Sequence, residues 1–303
     1  MLHTITMPNR RRCEAFGSSR GAVTATFSAA SPHRKGVMTT ESISAIDVHA
    51  HYGRYDCGRP DLINELMTGD AAVVAERARR ANVRLTIVSP LESLLPRGKA
   101  DAVIGNRNAA NIVAATPGLL QYVVIDPRRS ETYQQAEEML QLPTCVGIKI
   151  HPEEHLYLIQ EHGAVIFEFA ARHRAVVLSH SSEKNSLASE LVVFANQFPE
   201  AKLILAHIGC GWDRDHTHQV RAIQQSRHGN VFADTSSARS ITPNLIEWAV
   251  REVGAERVLF GTDSPLYHTS MQRIRIDHAD LSDREKRLIL CENAERLFEF
   301  PKT

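Results

Sequence analysis

The chain has 303 residues, 35 basic against 35 acidic side chains, 43% apolar residues and 15 histidines. That length accommodates one large α/β domain needing no disulfide or metal to hold its core. Zero formal charge, no basic block in the main body and no apolar run near the ~18 residues of a membrane helix exclude nucleic acid and membrane as partners and leave a small molecule.

Five scattered cysteines (Cys13, Cys57, Cys145, Cys210, Cys291) never form C-x-x-C. This speaks against a disulfide framework or cysteine zinc site and for a reducing, cytoplasmic compartment. The first 38 residues hold six basic side chains and one acid among many Ser, Thr, Ala and Gly, without periodicity. An organelle transit peptide has this composition, and so does translation from too early a start, with Met38 as the true one. Residues 1–42 are therefore expected to be a disordered or mis-started extension, and 43–303 the folded domain. The basic leader offsets a mildly acidic body, so the overall charge says little about the partner.

From residue 44 onward, short β-branched runs alternate with longer amphipathic stretches, the pattern of βα units and a parallel sheet. Strands are predicted at 44–49, 84–89, 120–125, 146–151, 175–180, 202–207, 230–235 and 257–262. Helices are predicted at 71–82, 106–116, 131–141, 163–173, 187–198, 218–228 and 243–253. Thr242-Pro243 reads as an N-cap with proline at N1, and Ser282 with Glu285 as the capping box of a final helix through Phe298. Eight such units make a (β/α)8 TIM barrel. A doubly wound open sheet is the alternative, but no glycine-rich phosphate turn follows the first strand.

Catalytic groups of a barrel gather where its strands end. In Ile46-Asp-Val-His-Ala-His51, alternation places Asp47, His49 and His51 on the inner face and Ile46, Val48 and Ala50 against helices. The two imidazoles then lie about 7 Å apart along one strand. The fourth strand turns Lys149 and His151 inward. A lysine there is costly unless it meets a carboxylate, an anionic substrate or a metal-bound modification. His180, His207 and Asp263 close the fifth, sixth and eighth runs. Imidazoles with one carboxylate are the ligand set of a catalytic zinc or similar divalent ion with an open water position.

Taken in order, Asp47-Val-His-Ala-His51, Gly147-Ile-Lys-Ile-His-Pro152, Ser179-His-Ser181, Ala206-His-Ile-Gly209 and Gly261-Thr-Asp-Ser-Pro265 resemble the amidohydrolase superfamily. More narrowly they are similar to its amidohydrolase-related branch, which includes aminocarboxymuconate-semialdehyde and resorcylate decarboxylases. The closing Glu292-Asn-Ala-Glu-Arg-Leu-Phe298 is similar to that branch's last helix. The resemblance implies a metal held by His49, His51, His180 and Asp263, with His207 a second ligand or a catalytic imidazole. Zinc is the first expectation, with manganese or iron as alternatives. In binuclear members a strand-four lysine, here Lys149, is carboxylated and bridges two ions.

A divalent ion lowers the pKa of its water toward ~7. Asp263 would accept that water's proton and pass it to the leaving group, while His207, protonated or as a neutral donor, polarises the substrate. Asp47 can fix a ligand histidine's tautomer or serve as a buried, backbone-bonded strand aspartate. His151 and His155 are further candidates for the pocket. Cys210 is read as a packed thiol. The activity expected first is metal-dependent hydrolysis of an amide, ester or lactone. Non-oxidative decarboxylation on the same metal site is the alternative, followed by an inactive metal-binding barrel. A homodimer is the expected assembly.

Overall fold

Eight aliphatic runs become strands because each is bounded by turn residues and buried on both faces, as parallel sheets require. The computed structural model describes residues 43–181 and 183–301, so the expected extension at 1–42 lies outside the described residues. The elements are β1 (Ala45–Tyr52), α1 (Leu62–Leu66), α2 (Ala71–Arg80), β2 (Val83–Pro90), α3 (Ala102–Ala114), β3 (Leu119–Val124), α4 (Ser130–Met139) and β4 (Cys145–Ile150). They continue with α5 (Ile159–Arg172), β5 (Val176–Ser179), α6 (Ala188–Gln197), β6 (Lys202–Leu205), α7 (His218–Gln224), β7 (Val231–Asp234), α8 (Leu245–Val253) and β8 (Val258–Leu259). Last come α9 (Thr269–Asp277), α10 (Asp283–Arg287), a π-helical turn (Leu288–Glu292) and α11 (Asn293–Leu297).

The strands pair in parallel in the order β1 to β8. Backbone bonds from Val48 N to Phe260 O (2.9 Å), Asp263 N to His49 O (2.7 Å) and His51 N to Ser264 O (2.6 Å) bring β8 and the segment after it back against β1. This is the TIM barrel expected from the sequence. No helix among the described residues is long and apolar enough to cross a membrane.

Inside, Ile46, Val48, Ile87, Tyr122, Leu178 and Ile204 form one cluster, and Leu297 and Phe298 of the C-terminal segment pack into the same cluster. Outside, Ile148, Ile150, Val177 and Leu205 pack against helix residues such as Ile166, Leu191 and Ile246. The inward placement of Ile46 and Val48 corrects simple alternation along β1. Its register against β2 shifts between Asp47 and Ala50, so one residue more is fitted there than on β2. Beyond the shift Ala50 and Tyr52 pack with Val74 of α2 and Val113 of α3, which turns His49 and His51 into the barrel.

The Ser282–Glu285 capping box is present. The cap expected at Thr242-Pro243 is not: α8 starts two residues later, behind Asn244 in the left-handed region at φ 64°.

Candidate metal and active site

Nearly all the polar side chains at the carboxyl ends of the strands are buried, and their hydrogen bonds dictate which atoms are left to act. His51 Nδ1 lies 3.1 Å from the carbonyl oxygen of Ser89 and must donate to it. In neutral His51 the Nε2 lone pair then faces Asp263 Oδ1 at 3.1 Å, two acceptors with no proton between them. His49 repeats the arrangement. Its Nδ1 lies 2.9 Å from Asp234 Oδ2, and its Nε2 lies 3.7 Å from Asp263 Oδ1 and 3.0 Å from Lys149 Nζ. Acceptor atoms of His49, His51 and Asp263 lie within 4.8 Å of one another, a donor set suited to a divalent cation. Burial and the Lys149 charge hold His49 well below the usual imidazole range. Burial works to raise the Asp263 carboxyl, but the close imidazoles of His51, His207 and His49 keep it far below the usual range.

Two backbone strains serve this geometry. His207 and Asp263 both sit in the left-handed region, at φ 71° and 56°. Asp234 Oδ1 accepts the His207 N–H at 3.1 Å, and His49 O accepts the Asp263 N–H at 2.7 Å, so each strained residue is anchored to a neighbouring strand.

His180 stands on the cavity wall outside the His49–His51–Asp263 group. It stacks on His151 at 4.3 Å, its centroid is 5.0 Å from that of His207, and its Nε2 lies 3.6 Å from Glu183 Oε1. Lys149 reaches the cavity floor, with burial lowering its pKa to about 8. His151 also lines the cavity, and its Nδ1 accepts the Glu154 N–H at 3.4 Å. His207 is drawn down to about 4, chiefly by burial.

Two candidates are placed elsewhere. Asp47 accepts the N–H groups of His49 and Thr262 and the Thr262 hydroxyl, so it braces β1 against the segment after β8 and touches no ring nitrogen. The tautomer-fixing contact on His49 belongs to Asp234 instead. His155 is buried with Nε2 2.8 Å from the Ser93 carbonyl, holding the loop after β2 rather than lining the cavity.

The cavity holds about 340 Å³. Its floor is the imidazole cluster with Lys149 and Asp263, and its walls include Tyr55, Tyr267, Leu91, Leu94 and Leu266. Arg97 stands at its edge, 2.9 Å from Glu154 and 3.5 Å from Glu183. A wider hollow of about 890 Å³ at the opposite end of the barrel, beside Val176 and Phe298, contains none of these groups.

The sequence profile of the amidohydrolase family matches residues 46–300. The chain belongs to the amidohydrolase family. The chain is 29% identical over 118 residues to the gamma-resorcylate decarboxylase of Polaromonas sp. strain JS666. The match spans 34% of this chain and 36% of that enzyme, about a third of each. Among solved structures, 5-carboxyvanillate decarboxylase from Sphingomonas paucimobilis superimposes with a TM-score of 0.66 at 15% identity, covering 86% of this chain and 100% of that one. The dihydroxybenzoic acid decarboxylase of Polaromonas sp. JS666, solved with manganese and the inhibitor 2-nitroresorcinol, gives 0.64 at 15% identity over 84% of this chain and 96% of that one. At these identities the structural likeness establishes the shared fold.

The principal residues missing from the sequence reading are Asp234 and Ser236. Ser236 Oγ lies 2.9 Å from Nδ1 of both His49 and His207, and it donates to Asp234 Oδ1. The signal for Asp234 was present in the sequence: it stands at the end of the seventh run, as Asp263 stands at the end of the eighth. For Ser236, nothing in the local pattern separates it from Ser237.

Proposed function

We propose that this chain is a metal-dependent decarboxylase, a carbon–carbon lyase acting on a small aromatic carboxylate. The observation that carries this reading is the sequence match to gamma-resorcylate decarboxylase. The superimposed decarboxylases support it, as does a cavity with tyrosine and leucine walls, a lysine on its floor and an arginine at its edge. Hydrolysis, placed first on sequence alone, becomes the second choice, supported by a His–His–Asp donor set that equally suits a metal-bound water.

His49, His51 and Asp263 would hold the ion, with His180 completing the set. Nitrogen and oxygen donors suit either manganese, which the Polaromonas structure contains, or zinc. When bound, such an ion supplies positive charge that orients an anionic substrate and offsets negative charge developing on it.

The protein's own groups do the rest. Tyr55, Tyr267 and the leucines flank a planar ring and exclude water, while Lys149 attracts the carboxylate toward the floor. The bond between ring and carboxylate breaks, carbon dioxide leaves, and the electron pair stays on the ring carbon, which takes up one proton. Asp263 and His207, both facing the cavity, carry that proton.

Product analysis tests the proposal. Metal-loaded protein is incubated with hydroxybenzoates, lactones, esters and amides. Conversion of a hydroxybenzoate to the corresponding phenol is expected; turnover of lactones, esters or amides alone would assign the site to hydrolysis.

A further inference from the structure

We infer that Asp234 and Ser236 form a positioning pair that sets the tautomers of His49 and His207 together, so that neutral His207 presents an acceptor, not a donor, to the cavity. Asp234 Oδ1 accepts three donors: the backbone N–H of His207 at 3.1 Å, that of Ser236 at 2.9 Å, and the Ser236 hydroxyl. Its Oδ2 faces His49 Nδ1 at 2.9 Å. All of these groups are buried, so no solvent competes for the protons.

The proton count around Ser236 Oγ then allows one arrangement. A hydroxyl has one hydrogen and two lone pairs. Its hydrogen goes to Asp234 Oδ1; otherwise two acceptor oxygens would face each other. Both lone pairs therefore point at ring nitrogens, Nδ1 of His49 and Nδ1 of His207, each 2.9 Å away. Both must carry hydrogen, the His49 N–H being shared between Ser236 Oγ and Asp234 Oδ2. Burial raises the Asp234 carboxyl, while the neighbouring His207 and the bonds from Ser236 and the His207 backbone favour the ionised form that this count requires.

Two consequences follow. His49 turns its Nε2 lone pair toward the cation site, where Lys149 Nζ lies 3.0 Å from it, and His207 keeps its own on the ring edge opposite Ser236. Neutral His207 can thus act as a ligand or take a proton, and it donates only after it has been protonated. This replaces the neutral donor expected from sequence. The geometry also joins the two imidazoles, centroids 4.9 Å apart, through one hydroxyl.

Gly261 is part of the device. A Cβ there would come within 3.0 Å of Ser236 Cβ, 3.1 Å of Asp234 Cγ and 3.1 Å of His49 Cβ. A side chain there would crowd all three, so glycine gives the segment after β8 its close passage behind the pair.

The test is long-range nitrogen–proton NMR on the metal-free full chain labelled at histidine nitrogen, which reads tautomers without any turnover. Signals are assigned with His49→Gln and His207→Gln. Both rings are expected to carry hydrogen at Nδ1. In Ser236→Ala, His207 should shift toward the Nε2–H form while His49 stays unchanged, because Asp234 Oδ2 is still present. In Asp234→Asn, manganese or zinc affinity measured by calorimetry should fall by ~10–100-fold, as for other residues that orient a metal-binding histidine. Wild-type His207 protonated at Nε2 overturns the inference, as does unchanged metal affinity in Asp234→Asn. Should Ser236→Ala fail to fold, the wild-type spectrum alone decides. None of these outcomes depends on whether the enzyme proves to be a lyase or a hydrolase.

Discussion

Burial lifts the pKa of Asp47 to about 8, against the bonds from Thr262 and the His49 backbone that favour its ionised form. In the unfolded chain an aspartate titrates near ~3.9. Between these values the folded protein holds a proton that the unfolded chain gives up. Stability linked to Asp47 is therefore full below ~4 and is lost as pH rises toward the folded value. Asp47→Asn cannot ionise, so in urea denaturation it should gain on the wild type between about pH 5 and about pH 8. A constant difference across that range would place an ionised Asp47 in the folded protein. Asp263 carries the opposite expectation. Its replacement by asparagine should leave the circular dichroism unchanged while turnover falls at least ~10²-fold. Near wild-type turnover would remove it from the mechanism. At this scale the sequence exposed the residues that end apolar runs, His49, His51, His180, His207 and Asp263. It did not expose the partners that orient them, because Ser89 and Ser236 act through contacts made only in the closed barrel.

Elements were legible where one force dominated. All eight strands stand out because burial on both faces demands unbroken aliphatic runs. Their ends were less visible: β8 is only Val258–Leu259, since the chain leaves the β7 ladder there and its backbone bonds cross to β1. The inversion along β1 was hidden as well, because a register shift leaves no mark in the alternation of Ile, Asp, Val and His. Helices α1 and α9 escaped notice; α1 buries none of its residues, and α9 places Arg273 and Gln272 among its buried side chains. Two substitutions test element-level claims. Ser282→Ala removes the capping box of α10 and should cost about 1 kcal/mol in denaturant unfolding. A cost near zero would mean that α10 is held by its packing alone. Gly261→Ala crowds Asp234, Ser236 and His49 by a few tenths of an ångström and should lower turnover ~10-fold with a stability loss of about 1 kcal/mol. If turnover were unaffected, the close passage behind the pair would be irrelevant to the chemistry.

For the whole molecule, the ordered appearance of histidines and aspartates at the strand ends pointed to both a barrel and a metal. Closure of β8 onto β1 makes that pointer physical: it brings Asp263, 212 positions after His51, to 3.1 Å from its ring. The reaction was the least legible property, because hydrolysis and decarboxylation draw on the same donor set and differ in what the walls select. Arg97, Tyr55 and Tyr267 come from three different βα loops, and only the fold assembles them around one cavity. The proposed lyase depends on an ion held by His49, His51 and Asp263 that supports loss of carbon dioxide from an aromatic carboxylate. The most direct measurement is carbon dioxide release from 2,6-dihydroxybenzoate and 5-carboxyvanillate by chelated protein as manganese or zinc is added back. Release should be absent after chelation, rise to saturation with the metal, and be lost in Asp263→Asn. Release indifferent to metal, or metal-dependent ester, lactone or amide cleavage with no carbon dioxide formed, would contradict it.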